Sequence, residues 1–310
     1  MFTRNTPSPV RDELAHVLGV IVKQTHVKYL GLPSTVGRPK REVFEGVKDR
    51  FWQKLNGWAT KKRSQAGRVV LIKSVLQAIP SYVMKCFEIL ESNLKELEGM
   101  MAIFFWQGGG EAKIHWMACH KLCRSKDEGG LGFHRLKEIN KAMLTKQAWR
   151  IVMQPNSFLH QFFQHIYFSK CKVFNAESSS SMSFTWQSIL RTKDLVAAGL
   201  RWRMGDWRSV QIVGVPWLPR PLLFQVISKP KLLPESSLVD VLLDEYGWNE
   251  GLVREEFSQV DAECILSIPL PREHRCDKLI WHYGKQGRFG ESRVFLSMLT
   301  AIDSHDFGRF

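Results

Sequence analysis

The residues of this chain that could do chemistry together are cations rather than acids or nucleophiles. Between Lys23 and Lys85, fourteen lysines and arginines face only three acids, an excess of eleven positive charges. Charge of that density must be solvated, and its natural partner is a polyanion. Lysine and arginine displace condensed counterions from phosphates, which predicts binding that is independent of sequence and sensitive to salt. The cations that we expect to contact phosphate are Lys61, Lys62, Arg63, Arg68 and Lys73.

Acids that could support phosphoryl transfer are missing from the same region. Two-metal catalysis needs carboxylates that converge on Mg²⁺. The only aspartates of the first hundred residues are Asp12 and Asp49, and no Asp-Asp pair occurs anywhere in the chain. We therefore expect no catalytic residues here. The alternative for the cations is a charged helix face that is simply solvated, which is the usual role of such a pattern.

Three other patterns could suggest chemistry, but each has a structural explanation that we prefer. The cluster His115, Cys119, His120 and Cys123 would have to supply most of a zinc site from one helix, so packing is favoured and no metal site is expected. The glycines at 108–110 and 129–130 lack the lysine and hydroxyl of a P-loop and read as loops. Trp52 and Trp58 could stack on bases, but we expect them to pack in a core.

Helical periodicity dominates the elements that must position these cations. Val43, Val47, Phe51, Leu55 and Trp58 share one face of a helix that begins near Pro39. A second helix is expected over 65–79, stopped by Pro80. Other helices are expected near 9–18, 93–105, 114–122, 136–153, 157–168, 183–196 and within 236–266, strands near 19–23 and 27–31, and a small β unit after Gly199. The sequence thus predicts a mainly α fold with minor β, a helical bundle followed by a small β-containing module.

Composition separates a basic first half from a more acidic later segment. The chain has 310 residues and a net charge of +14, whereas residues 229–273 carry an excess of six negative charges. This asymmetry predicts separate modules, of which only the first is built for phosphate. The sequence has no apolar run of membrane-spanning length and no apolar signal core at its start. We expect a soluble intracellular protein, nuclear or cytoplasmic rather than secreted, with no membrane partner and no small-molecule substrate.

Longer motifs identify a family. The block from Lys28 to Met84 resembles the region just beyond the catalytic core of plant non-LTR (LINE-type) retrotransposon reverse transcriptases. The resemblance continues through FFWQGG (104–109), KIHW (113–116), KLCRSKDEGGLGF (121–133), NKAMLTKQAWRI (140–151) and GLRWRMGDW (199–207). It covers nearly the whole chain and is specific as a set, although no single motif is catalytic.

The resemblance implies a fold and a partner. Tyr29, Leu30 and Gly31 look like the primer-grip turn at the edge of the palm, and the following helices look like the thumb. The tail from Asp277 looks like the start of the family's zinc-binding module, whose later Cys and His ligands this sequence lacks. The implied divisions are 1–37 (end of palm), 38–155 (thumb), 156–228 (connection with a small β unit) and 229–310 (truncated zinc-binding module). The implied partner is an RNA–DNA hybrid or duplex. No cofactor is expected in this chain, because Mg²⁺ belongs to an intact polymerase core.

Three hypotheses about function follow. The first is a non-catalytic fragment of a LINE-type reverse transcriptase, an RNA-directed DNA polymerase, that grips primer–template nucleic acid. The second is an inactive retroelement relic with no present biochemical activity. The third is a helical protein-interaction module that uses the acidic segment 235–263.

Overall fold

Helices account for most of the ordered backbone. A computed structural model describes residues 7–19, 40–59, 63–107, 117, 119–124, 126–169, 171, 173–177, 182–220, 224–270, 276–284 and 287–289. Within these ranges the strands form two short antiparallel pairs. The prediction of a mainly α fold with minor β is therefore confirmed. The strands predicted near 19–23 and 27–31 lie outside the described residues. No described helix combines the length and apolarity needed to cross a bilayer.

The chain divides into two compact units, Met1–Val83 with Gly99–Trp116, and Met84–Glu98 with Met117–Phe310. The four-part division suggested by the resemblance stays a prediction. The elements before Met84 are α1 (Ser8–Leu18), α2 (Lys40–Ala59), α3 (Gln65–Leu71) and a π-helical turn (Ile72–Leu76). Helix α4 (Ser81–Met84) ends at the boundary, and α5 (Glu91–Gln107) contributes residues to both units.

The first unit is held together by the apolar stripe of α2. Val47, Phe51 and Leu55 are buried at steps of four, as the periodicity predicts, and Phe44, which was not predicted, is buried as well. The side chain of Val43 lies outside the described residues. Trp58 continues the stripe, and its ring lies 5.6 Å from that of Phe104 in α5.

The second predicted helix keeps its position but changes geometry halfway. Helix α3 ends at Leu71, and residues 72–76 continue it as a π-helix. The amide of Gln77 there donates to the carbonyl of Ile72, five residues earlier, at 3.0 Å. The side chain of Ser74 also donates to the carbonyl of Val70, a bond that competes with regular helix geometry. Ile72 and Leu76 are fully buried, so the wider turn still presents an apolar face.

The second unit is built around a long central helix. Its elements are α6 (Cys119–Leu122), α7 (Leu136–Met153), α8 (Phe158–Tyr167), a 3-10 turn (Val173–Asn175), α9 (Phe184–Leu190), α10 (Lys193–Gly199), β1 (Leu200–Arg203), a second 3-10 turn (Val239–Leu242), β2 (Leu243–Asp244), β3 (Gly247–Trp248), α11 (Glu250–Glu256), α12 (Gln259–Leu266) and β4 (Lys278–Trp281). Helix α7 contacts α8, α9 and α10. Trp186 lies at the centre of this cluster, with the rings of Phe163 and Tyr167 at 4.9 and 5.4 Å.

Two differences from the predicted elements have local causes. The helix predicted over 183–196 is two helices, because Thr192 leaves helical geometry and its hydroxyl donates to the carbonyl of Ile189 at 2.7 Å. The β unit predicted after Gly199 forms only one strand locally, and that strand pairs with β4 in the register Leu200↔Trp281 to Arg203↔Lys278. The turns that follow β1 instead enclose a second core that contains Trp207, Trp217 and Val239.

Candidate nucleic-acid interface

Five of the eight residues predicted to contact nucleic acid lie outside the described residues. They are the turn residues Tyr29, Leu30 and Gly31 and the loop residues Lys61 and Lys62. The remaining three, Arg63, Arg68 and Lys73, fall on α3 and its flanks. For all eight, phosphate contact stays a prediction.

Arg63 is exposed and lies just before Ser64, the residue that caps α3. Ser64 fixes this junction, because its hydroxyl accepts the amide of Gly67 at 3.2 Å and its carbonyl accepts the amide of Arg68 at 3.1 Å. Such a serine cap is a common way to start a helix. The cap holds the end of the basic loop against the first turn of α3.

Arg68 is buried, which the sequence did not suggest. Its side chain is 8% exposed, and neither Nε nor Nη1 has a hydrogen-bond partner among the described residues. A buried guanidinium without an acceptor carries a large desolvation cost. Two of its three nitrogens therefore lack an acceptor within the part of the chain that the structure describes.

Lys73 lies within the π-helical turn and is half-buried. π-helical turns inside α-helices are costly and are found frequently at functional sites. The wider turn changes the direction of the residues on either side of Lys73 relative to a regular α-helix.

Helix α2 adds exposed cations to the first unit. Arg50 and Lys54 are four residues apart and exposed, on a face away from the buried Phe51 and Leu55. Within the described part of the chain, neither Arg50 nor Lys54 forms an ion pair. These side chains are available to an external anion.

The two tryptophans of α2 do not behave alike. Trp58 packs against Phe104, as expected. Trp52 is 57% exposed, so the expectation of core packing is wrong for this residue. The reason is helical phase: Trp52 follows Phe51 and lies about 100° away from it around the axis, at the edge of the apolar stripe. Its neighbours one turn away include the acid Asp49, which makes the immediate surroundings of Trp52 less favourable for phosphate than those of Arg50 and Lys54.

The glycine loop at 129–132 is held by its own backbone. The amide of Gly129 donates to the carbonyl of Lys126 at 3.1 Å, and the amide of Gly132 donates to that of Arg124 at 2.8 Å. Gly130 packs so closely on Arg124 that an added Cβ would lie 2.2 Å from its carbonyl oxygen. Because these amides are already used, the structure agrees with loop closure rather than a phosphate cradle. Gly108, Gly109, Gly110 and His115 lie outside the described residues.

The acidic segment 235–263 uses its buried carboxylates internally. Glu256 accepts the amides of Leu232 and Leu233 at 2.9 and 3.0 Å, and these bonds lower the pKa of its carboxyl. Asp261 accepts the amide and hydroxyl of Ser228. Burial alone would raise the pKa of Asp261, but the bonds from Ser228 and the charge of Arg220, 2.7 Å away, outweigh it and lower the pKa.

One organising residue was missed by the sequence analysis. Asp277, just before β4, accepts the amides of Gly205 at 2.7 Å, Trp207 at 3.1 Å and Ser209 at 3.1 Å. Trp207 has a φ of 64°, which is rare for a bulky residue, and the bond to Asp277 helps to hold it there. The GLRWRMGDW motif is thus folded around an acid some seventy residues away. The sequence near the motif does not indicate this contact.

Comparisons with known proteins found two relatives of similar sequence. No protein-family model matches the chain. The chain is 27% identical over 289 residues to the Arabidopsis thaliana protein named "Putative ribonuclease H protein At1g65750", a match that covers 87% of this chain and 44% of that protein. The chain thus spans less than half the length of that relative. It is also 35% identical over 145 residues to the Arabidopsis thaliana "Uncharacterized mitochondrial protein AtMg00310", covering 46% of this chain and 92% of that protein. The chain belongs to the family of this mitochondrial protein.

Proposed function

We propose that this chain is a non-catalytic thumb and connection portion of a LINE-type reverse transcriptase, and that it grips a primer–template duplex through phosphate contacts. The motif set from Lys28 to Trp207 supports this origin. The printed name of the 27% identical relative, a ribonuclease H protein, supports a nucleic-acid partner. An RNA–DNA hybrid is the duplex that the resemblance implies.

The state of the cations in the first unit carries the proposal. Arg50, Lys54 and Arg63 are exposed and form no ion pair with a described residue, and Arg68 is buried with no described acceptor for its Nε or Nη1. Some surface lysines and arginines pair with nearby acids, and these ion pairs reduce the positive charge that they offer to a ligand. Cations left without carboxylates across two successive helices are instead suited to an external polyanion.

In the proposed role these side chains bind and orient the duplex, and none of them takes part in bond making. Exposed cations would contact backbone phosphates, which positions a duplex without reading its sequence. The Tyr29 turn would contact the primer strand. Phosphoryl transfer would belong to a separate Mg²⁺-dependent core, and we expect no cofactor in this chain.

The two alternatives have less support. For the interaction-module hypothesis, Glu256 and Asp261 are buried and serve the fold, which leaves exposed acids such as Glu245 and Glu255 to form an acidic surface. The relic hypothesis predicts marginal folding, so a circular-dichroism melt of the purified chain without a cooperative transition would favour it.

The binding test is a salt series on the full chain with a 20-base-pair RNA–DNA hybrid. We expect log affinity to fall linearly with log salt, and the variant Lys61→Gln/Lys62→Gln/Arg63→Gln to reduce the slope by about 2.7, at ~0.9 per phosphate contact. The control Lys95→Gln/Lys229→Gln/Arg254→Gln removes three exposed cations that already pair with acids. Equal slopes for the two triple variants, or a flat response of the wild type, would contradict the proposal.

Arg68 gives a second, independent test. Arg68→Met removes a buried charge whose Nε and Nη1 have no acceptor among the described residues, so we expect it to stabilise the free protein by about 1–3 kcal/mol, the cost of an unsatisfied buried polar group. The same variant should bind the hybrid more weakly. Stabilisation without any loss of binding would remove Arg68 from the interface.

A further inference from the structure

The sheet formed by β1 and β4 has one apolar face and one cationic face. Side chains alternate along strands. Leu200, Trp202, Leu279 and Trp281 pack into the cores of the second unit. The opposite face carries Arg201, Arg203, Lys278 and His282 around the single apolar residue Ile280. Arg203 lies directly across from Lys278 in the register.

Several basic residues of the second unit, unlike these cations, pair with an acid. Lys137 pairs with Glu91 and Arg191 pairs with Glu88, at 2.9 and 2.6 Å. Arg220 pairs with Asp261. By contrast, no described carboxylate lies within ion-pair distance of Arg201, Arg203 or Lys278. The positive charge of this face, defined by those three residues, is left uncompensated within the part of the chain that the structure describes.

Arg201 shows this most clearly. Its side chain is half-buried, and its Nε is shielded from solvent without an acceptor among the described residues. Burial lowers the pKa of its guanidinium. Burial also lowers the pKa of the neighbouring His282, and the positive charge of Arg201 lowers it further. A cation held partly away from water with an unused donor is suited to a bound anion.

The nearest acid in the strand is directed elsewhere. Asp277 precedes Lys278, so alternation places its side chain away from the cationic face. Its two oxygens accept the amides of Gly205, Trp207 and Ser209. Gly287, in the turn after β4, packs on Ile280 in the middle of the cationic face, and the ring of Phe224 lies 4.5 Å from that of His282. Arg203 and Lys278 remain exposed at one end.

We propose that this face of the β1–β4 sheet is a second nucleic-acid contact, at which Arg201, Arg203 and Lys278 bind the phosphodiester backbone. Arg201 and Arg203 are two residues apart on one strand, about 6.7 Å, and Lys278 lies across from Arg203. The set is therefore extended along the strand rather than gathered on one point, which suits a run of phosphates better than a single small anion. The contact deepens the proposed function, on which it rests, by adding a site in the second unit.

The test uses the full chain, a single-stranded RNA 20-mer and an RNA–DNA hybrid of the same sequence. The main variant is Arg203→Gln/Lys278→Gln, because both side chains are exposed and their loss should leave the fold intact. The triple variant adds Arg201→Gln. The matched control is Lys229→Gln/Arg254→Gln, which removes two exposed cations of the same unit that already have acidic partners.

We expect the double variant to reduce the salt slope by about 1.4 for the single strand and about 1.8 for the hybrid, from ~0.7 and ~0.9 per phosphate contact. The triple variant should reduce the slope further, and the control should match the wild type. A circular-dichroism melt of each variant checks folding. If the triple variant melts early, the double variant alone decides the result.

Each other outcome overturns the inference in a recognisable way. If the wild type binds and the double variant matches the control, the sheet face makes no contact, while the proposed function stands. If the wild type binds neither nucleic acid, both proposals fail together. A third probe, poly-glutamate, is measured with the same variants. If its binding depends on Arg203 and Lys278 and nucleic-acid binding does not, the face recognises an acidic protein instead.

Discussion

Replacement of Asp277 tests how the GLRWRMGDW segment is held. Asp277 accepts three backbone amides, and two of the donors, Gly205 and Trp207, are buried, whereas Ser209 is exposed. A hydrogen bond to a charged group contributes about 1.5–3 kcal/mol when buried. Asp277→Ala leaves two buried amides without acceptors and should lower the free energy of unfolding by about 3–5 kcal/mol. The Ser209 amide adds little to this loss, because it can donate to water instead.

The asparagine variant separates charge from geometry. Asp277→Asn keeps Oδ1, the acceptor of Gly205 and Trp207, and replaces Oδ2, the acceptor of the exposed Ser209, with a donor group. We expect it to cost about 1 kcal/mol, as for one exposed charge-assisted bond. Hydrogen–deuterium exchange of peptides that cover residues 203–210 reports this opening locally, without assuming that the two units unfold together.

A matched control exists in the β2–β3 hairpin. Asp244 also accepts two amides, those of Tyr246 at 2.8 Å and Gly247 at 2.9 Å, but Asp244 is exposed. Asp244→Ala should cost less than about 1 kcal/mol, because water replaces the lost acceptor. Equal effects of Asp277→Ala and Asp244→Ala, or of Asp277→Asn and Asp277→Ala, would refute the argument that burial of the amides sets the energy.

Further predictions concern packing and acid stability. Asn140 is 2% exposed and makes three hydrogen bonds to the backbone of residues 84–89. Asn140→Ala should therefore lower the free energy of unfolding, measured in urea, by about 3 kcal/mol. The control Gln147→Ala, on the same helix, should lower it by under about 0.5 kcal/mol. Gly199→Ala places a Cβ 2.1 Å from the Trp281 ring and should lower the melting temperature sharply. Gly57 on α2 has open space around it, so Gly57→Ala should raise the free energy of unfolding by about 1 kcal/mol. The lowered pKa of Asp261 stabilises the fold above its ordinary value of 3.8, and this contribution is lost as pH falls through the folded pKa. Asp261→Asn should therefore flatten the acid side of a stability–pH profile, and a profile unchanged from the wild type would contradict this role.

Local periodicity was sufficient to predict most helices. The helix predicted over 136–153 matches α7, and the stripe read from α2 is the buried one. These predictions are correct because apolar residues that recur every three or four positions lie on one face of a helix, and this spacing can be read from nearby residues alone. The excess of positive charge between Lys23 and Lys85 was also evident from the sequence, because it depends on composition alone.

Tertiary structure alone decided which of those residues are buried and which are exposed. Arg68 is buried and Trp52 is exposed, although their sequence contexts suggested the reverse. The acids Glu256 and Asp261 bind backbone amides rather than forming an open acidic surface. The pairing of β1 with β4 joins segments that have no sequence signal in common. Such outcomes depend on contacts between distant parts of the chain, which short-range patterns of charge and hydropathy do not encode.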